Sequence, residues 1–226
     1  MRAIFFNGLR LAALVLLIAS CSNQAEKPKD TLFELLKPSE TGIEFNNIMQ
    51  ESKEINLLSF APIYNGAGVA VGDFNNDGFL DVVVTSSGFL ESDQMRFFVN
   101  NGDGTFTDRT IEAGLEGLVG GLNCQQTDYN NDGLMDIFVL RGGWLEMWGK
   151  HPNSLLRNNG DGTFTDVTEE AGLLSFNPTQ TAAWADFNND GWLDVFIGNE
   201  SALPPGRPKN FDRRRVHKAE FYINQK

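Results

Sequence analysis

Positive charge, cysteine and histidine are what this 226-residue chain has little of. Eighteen lysines and arginines face thirty aspartates and glutamates, a formal net charge of −12. Nucleic-acid binding needs basic patches that neutralise phosphates, and charge-driven adhesion to anionic lipid needs the same, so both are excluded. Two cysteines, Cys21 and Cys124, are too few for a disulfide framework. The two histidines, His151 and His217, have no cysteine partner and no acid or serine in a recognisable arrangement. Zinc and nucleophilic triads are therefore not indicated, and each histidine reads as a surface or loop residue. Beyond residue 21 no apolar run approaches bilayer-spanning length. Hydrophobic residues at 41% against 21% charged are ordinary for a globular fold, which argues against disorder.

Residues 1–21 read as a processing segment. Arg2 and Arg10 give a basic start, 11–19 is a short apolar run, and Ala19-Ser20-Cys21 is a small-residue exit. Ile18-Ala19-Ser20-Cys21 resembles the lipobox of bacterial lipoprotein signals, which implies acylation of Cys21 and a membrane anchor made of lipid alone. Residues 22–30 are polar with no apolar side chain beyond one alanine, the composition of a tether, so the folded body is expected over 31–226. With Cys21 acylated, Cys124 has no partner within the chain; in Leu122-Asn-Cys-Gln-Gln126 it reads as a small buried hydrophobe on a strand.

What the chain does have is an internal repeat. Asp73-Phe-Asn-Asn-Asp-Gly-Phe-Leu-Asp81 returns as Asp128-Tyr-Asn-Asn-Asp-Gly-Leu-Met-Asp136 and Asp186-Phe-Asn-Asn-Asp-Gly-Trp-Leu-Asp194, the first aspartates 55 and then 58 residues apart. A second motif alternates with it, Asn100-Asn-Gly-Asp-Gly-Thr-Phe-Thr-Asp108 and Asn158-Asn-Gly-Asp-Gly-Thr-Phe-Thr-Asp166. Short β-branched and aromatic runs flank each Asp-rich loop, as at 68–71, 81–85 and 194–197, and further runs flank the Asn-Gly-Asp-Gly turns. Each repeat is thus about four short strands, the size of a propeller blade, while the glycines and β-branched residues exclude helical repeats. The expected fold is all-β: a partial propeller of about three four-stranded blades.

Phe221-Tyr-Ile-Asn224 aligns with Phe97-Phe-Val-Asn100 and Leu155-Leu-Arg-Asn158, so the third repeat stops before its last hairpin. A closed ring takes roughly four to eight blades, and the chain therefore reads as an N-terminal fragment of a longer protein. Residues 201–218, with the basic run Arg213-Arg-Arg-Val-His217, read as a solvated insertion ahead of the last strand. The aromatics beside the loops (Phe74, Tyr129, Phe187) and in the hairpins (Phe106, Phe164) are expected to pack between neighbouring repeats.

Curling Asp73-x-Asn75-x-Asp77-Gly-Phe79-x-Asp81 around a point turns the oxygens of positions 1, 3, 5 and 9 inward, with the main-chain carbonyl of position 7 as a fifth donor. The equivalent sets are Asp128, Asn130, Asp132, Leu134 and Asp136, and Asp186, Asn188, Asp190, Trp192 and Asp194. All-oxygen donors with several carboxylates select a hard cation, and irregular coordination favours Ca2+ over Mg2+. Carboxylates drawn to about 4 Å repel by roughly 4 kcal/mol per pair at an effective dielectric near 20, so an unliganded loop is pushed apart. About three calcium ions are expected. Turn formation alone asks for no acid at position 9. The Asn-Gly-Asp-Gly motif has too few and too closely spaced donors, and reads as a hairpin turn. Catalytic carboxylates need contrasting environments, which three identical contexts do not offer, so no enzyme is expected.

These residues resemble the FG-GAP and VCBS repeats of the integrin-α-like β-propeller. DFNNDG followed by RNNGDGTFTDVTEEAGL is more narrowly similar to the bacterial cartilage-acidic-protein (ASPIC/UnbV) group, from about Leu32 onward. The resemblance implies an exported calcium-binding propeller of about seven blades, binding protein or glycan at the cell surface or in the periplasm. An accessory or catalytic domain of a polysaccharide-degrading enzyme and a spacer that displays another domain are the competing expectations.

Overall fold

The computed structural model describes residues 31–47, 51, 53, 56, 66–86, 94–141, 151–199 and 218–226. The lipobox cysteine, the tether and residues 201–217 of the insertion, His217 included, lie outside the described residues. The chain divides into two compact parts, Met1–Leu36 and Lys37–Lys226. The described residues of the first, 31–36, form no helix or strand and are exposed. Among the described residues no helix is long and apolar enough to cross a membrane.

The second part opens on one turn of helix, α1 (Pro38–Thr41). Glu40 accepts the N–H of Lys37 at 2.8 Å, and Gly42, at φ 77°, ends the turn by donating to Pro38. Three antiparallel sheets follow. The first runs β1 (Val69–Gly72), β2 (Asp81–Val84), β3 (Arg96–Asn100) and β4 (Phe106–Asp108); the second runs β5 (Asn123–Thr127), β6 (Asp136–Leu140), β7 (Ser154–Asn158) and β8 (Phe164–Asp166). The third shows β9 (Thr179–Ala185), β10 (Asp194–Asn199) and β11 (Glu220–Tyr222). Strand order follows chain order in each sheet. The expected all-β partial propeller is what forms, with three strands instead of four described in its third blade.

Strand β6 shows why blades need partners. All five of its residues are buried, which a sheet with one wet face does not allow. Ile137 and Val139 join a core with Ala70, Phe74, Val83, Phe97, Cys124, Leu156 and Phe164. Phe138 and Leu140, one residue out of phase, join a second core with Leu155, Val167, Leu173, Ala182, Val195 and Ile197. The period of two thus sends alternate side chains of one strand into the junctions on either side. Each fully buried Leu, Ile or Phe contributes about 1.5–3 kcal/mol of transfer free energy. Where the blade has no described neighbour, residues of the same pattern stay wet: Val69 is 57% exposed and Phe196 45%.

The aromatics lock the junctions. Phe74, Phe97 and Phe164 meet edge to face, with centroids 5.9, 6.2 and 5.7 Å apart, and Phe138 meets Trp184 at 5.4 Å. Phe187 packs on Phe221 and remains half exposed. Close approach of the first two sheets requires Gly68, since a Cβ there would lie 2.4 Å from the Asn123 Cα. Cys124 on β5 is buried, as a small hydrophobe would be, and burial pushes its thiol up to about 12.

Candidate metal centre

The three Asp-rich loops connect β1 to β2, β5 to β6 and β9 to β10, so each joins the first two strands of its blade. In each, the first aspartate accepts two main-chain N–H groups, that of position 5 at 3.1 Å and that of the position 6 glycine at 2.9–3.0 Å. The Asn at position 3 accepts the N–H of position 5 and donates its amide to the position 5 carboxylate at 2.7–2.8 Å. The second oxygen of that carboxylate accepts the N–H of position 7 at 2.8–2.9 Å. Positions 1, 3 and 5 are thereby drawn together by hydrogen bonds within the loop. Position 4 explains the doubled asparagine: Asn76, Asn131 and Asn189 stand at φ 57°, 54° and 59°, a left-handed conformation that Asn tolerates well.

Position 9 behaves differently. Asp81, Asp136 and Asp194 are at most 1% exposed, and each spans two elements. One oxygen accepts the N–H of position 2 in its own loop, Phe74, Tyr129 or Phe187. The other accepts the N–H of Asn100 or Asn158 at the end of the third strand, or of Asn224 just beyond it, at 2.8–2.9 Å. Burial raises the Asp81 carboxyl and pushes Asp136 up to about 6; the main-chain donors work against that, and the carboxylates at positions 1 and 5 add to it.

Among the described residues no group of three or more His, Cys, Asp or Glu gathers on its own into a set able to hold a metal. Each loop keeps its fifth carboxylate on the exposed rim and its ninth buried beneath. A cation here would need the amide oxygen of Asn75, Asn130 or Asn188 and the main-chain oxygen of Phe79, Leu134 or Trp192 besides the acids. Those donors are all oxygen, with no sulfur or imidazole in the loop, and Asp81 and Asp136 feel the other two carboxylates of their loops. The residues fit a hard divalent cation in chemistry, with Asp73, Asn75, Asp77, Phe79 and Asp81 and their counterparts as its holders.

The second motif serves the first. In the hairpins Asp103 and Asp161 accept both the N–H and the hydroxyl of Thr105 and Thr163, which lowers their carboxyls and occupies them in the turn. The side chain of position 7 lies over the hairpin glycine: a Cβ on Gly102 would come within 2.7 Å of the Phe79 ring, and one on Gly160 within 3.2 Å of Leu134. At the third loop Trp192 has the Lys226 ammonium 5.8 Å from its ring centroid instead.

The sequence reading missed the asparagine that opens each hairpin motif. Asn100, Asn158 and Asn224 donate their amides to the carbonyl before position 9, Leu80, Met135 and Leu193. Asn158 also reaches the Phe74 carbonyl of the preceding blade at 2.7 Å, and Asn224 the Tyr129 carbonyl at 3.2 Å. The signal was the recurrence of Asn at the end of each third strand, visible but open to reading as turn chemistry. Arg141 was missed too. It is buried, bonds Ser154 and through it Asp166, and stands in for Arg96, which faces Asp108 at 4.0 Å in the first blade. His151 is half-buried, and burial and Arg141 lower its imidazole.

A family model described as FG-GAP-like repeat matches residues 87–139 and 128–197, and one described as FG-GAP repeat matches 65–105. The chain belongs to the FG-GAP repeat proteins. Among curated relatives it is similar to cartilage acidic protein 1 of Xenopus tropicalis, 32% identical over 162 residues, covering 71% of this chain and 24% of the relative. The human protein of that name is 31% identical over 136 residues, 59% of this chain and 19% of its own length. This FG-GAP chain therefore spans about a quarter or less of the curated relatives it matches. A solved structure from work on N-acetylglucosamine recognition by an Agrocybe aegerita lectin aligns over 59% of this chain and 33% of that one, at 19% identity and a TM-score of 0.33. A likeness that weak bears on neither fold nor ligand.

Proposed function

We propose that this FG-GAP chain is an exported calcium-binding module whose three loops each take one Ca2+, and whose role is to bind protein or glycan. One observation carries the metal reading: three loops fold alike, with the same oxygens curled together at positions 1, 3 and 5 above a buried ninth carboxylate. Bound Ca2+ supplies charge neutralisation and a fixed loop. The chain's own residues do the rest: Asp73, Asp128 and Asp186 hold two N–H groups each, and the ninth aspartates tie loop to sheet. Export and acylation at Cys21 rest on the residue 1–21 pattern, and binding over turnover rests on triplication of the same carboxylates in one context.

Calorimetry with calcium chloride on the full chain tests this. About three ions should bind, and Asp77→Ala, Asp132→Ala and Asp190→Ala should each remove about one. A ligand that binds only the folded state stabilises it by about 2.7 kcal/mol per site at a hundredfold excess over Kd, so chelation should lower the melting temperature visibly. Magnesium should rescue poorly because it demands a smaller octahedral shell. Identical melting in chelator and in millimolar calcium would show that the loops are only turns.

A further inference from the structure

The geometry points to Asn158 and Asn224 as positioning residues that couple the three loops in series, so that calcium fills them cooperatively. This rests on the calcium reading of the loops and adds a connection between them. In the first loop Asp81 holds the N–H of Phe74 at 3.0 Å, and the Phe74 carbonyl accepts the Asn158 amide, 84 residues further along the chain, at 2.7 Å. The N–H of that same Asn158 donates to Asp136, ninth in the second loop, at 2.8 Å. Asp136 holds the N–H of Tyr129 at 3.3 Å, and the Tyr129 carbonyl accepts the Asn224 amide at 3.2 Å. The Asn224 N–H closes on Asp194, ninth in the third loop, at 2.8 Å. The path from Asp81 to Asp194 is unbroken, and its first half is almost dry: Phe74, Asn158 and Asp136 are 1%, 2% and 0% exposed.

The second and third loops share a further link. The Asn131 amide donates to the Gly191 carbonyl at 2.7 Å, from position 4 of one loop to position 6 of the next. Each loop is thus held on two sides, by its own ninth carboxylate at the N–H of position 2 and, in the first two loops, by the next blade's asparagine at the carbonyl of the same residue. Carboxylates that repel shift that residue and, with it, the anchor of the neighbouring Asn. Once one loop is fixed, the neighbouring Asn and the ninth carboxylate it bonds are already in place. The second binding event then orders less, which is positive cooperativity, and the effect is reciprocal between loops.

Calcium chloride titrated into the full chain should give about three ions and a Hill slope above 1. Asn158→Ala should keep about three ions while the slope falls and the first loop weakens about fivefold or more, the lower end of ordinary coupling. Asn159→Ala is the control, since among the described residues that side chain bonds Thr163 and Thr165 inside its own hairpin; it should leave the slope unchanged. If Asn158→Ala does not fold, the paired change Asn131→Gly with Asn224→Ala, at an exposed and a half-buried position, should free the third loop in the same way, the glycine keeping the positive φ of residue 131. Asp132→Ala should weaken the first and third loops although it touches neither. Three independent sites in the wild type, or equal isotherms for Asn158→Ala and Asn159→Ala, would overturn the coupling and leave the calcium reading standing. No binding at all would remove both.

Discussion

Single residues carry unequal burdens in two motifs that look alike on paper. Gly102 and Gly104 both sit at positive φ, 78° and 88°, yet a Cβ on Gly104 meets nothing within 4 Å while one on Gly102 strikes the Phe79 ring. An L side chain in the left-handed region costs about 1–2 kcal/mol, so Gly104→Ala should cost that much and Gly102→Ala more. Phe79→Ala combined with Gly102→Ala should recover the excess, measurable by urea denaturation of the double-mutant cycle. Asp136 sets a pH dependence. Its carboxyl is raised from the usual 3.8 to about 6 in the fold, so its contribution to stability is fully present below pH 3.8 and is lost as pH rises through about 6. In chelator the melting temperature should therefore fall between pH 4 and pH 6 from this group. With calcium the apparent affinity should instead grow over the same window, because the cation competes with the proton. A calcium affinity flat from pH 5 to 7 would count against Asp136 as a ligand. Cys124, buried with its thiol at about 12, should resist a thiol reagent in the native Cys21→Ser protein and react at once in denaturant.

At the scale of the element, loop and hairpin form one device. The loop's ninth carboxylate takes the N–H of the asparagine that starts the hairpin, and the hairpin glycine makes room for the loop's seventh side chain. In the first two blades the two motifs, alternating along the chain, thus each supply the other with a contact. Asp103→Ala and Asp161→Ala remove turn acceptors on the far side of the hairpin and no loop donor. Both should lower the melting temperature modestly and leave the number of bound calcium ions unchanged; loss of an ion in either would assign the hairpins a metal role.

Across the whole molecule, stability resides in the junctions between blades. Phe74 belongs to a loop in the first blade but packs on Phe97 of its own sheet and Phe164 of the next. Phe74→Ala should cost about 3–5 kcal/mol, the range for deleting a buried aromatic, and should broaden or split the unfolding transition as the first blade comes loose. A single sharp transition at reduced temperature would mean that the blades remain one cooperative unit. The second junction is less filled: at Tyr129, Ala171, Leu173, Trp184, Val195 and Tyr222 a space of about 280 Å³ remains. Phe164 on β8 fills the corresponding place in the first junction, beside Phe74.

The sequence by itself determined the period, the strands and the places of the Asp-rich loops, because these are local. Alternation of apolar residues, Asn-Gly and Asp-Gly turns and the spacing of acids are all set within ten residues of chain. It also placed Cys124, Phe74 and Phe164 in the core. It did not distinguish the ninth aspartate from the first, although one is buried between strands and the other faces its own loop. It left Asn158 and Asn224 as turn residues and Arg141 without comment. Their partners are Phe74, 84 positions away, Tyr129, 95 away, and Ser154 across a sheet. The two asparagine bonds leave no periodic trace in the chain, since only the docking of one blade on the next brings donor and acceptor together, while Arg141 meets Ser154 only once β6 pairs with β7.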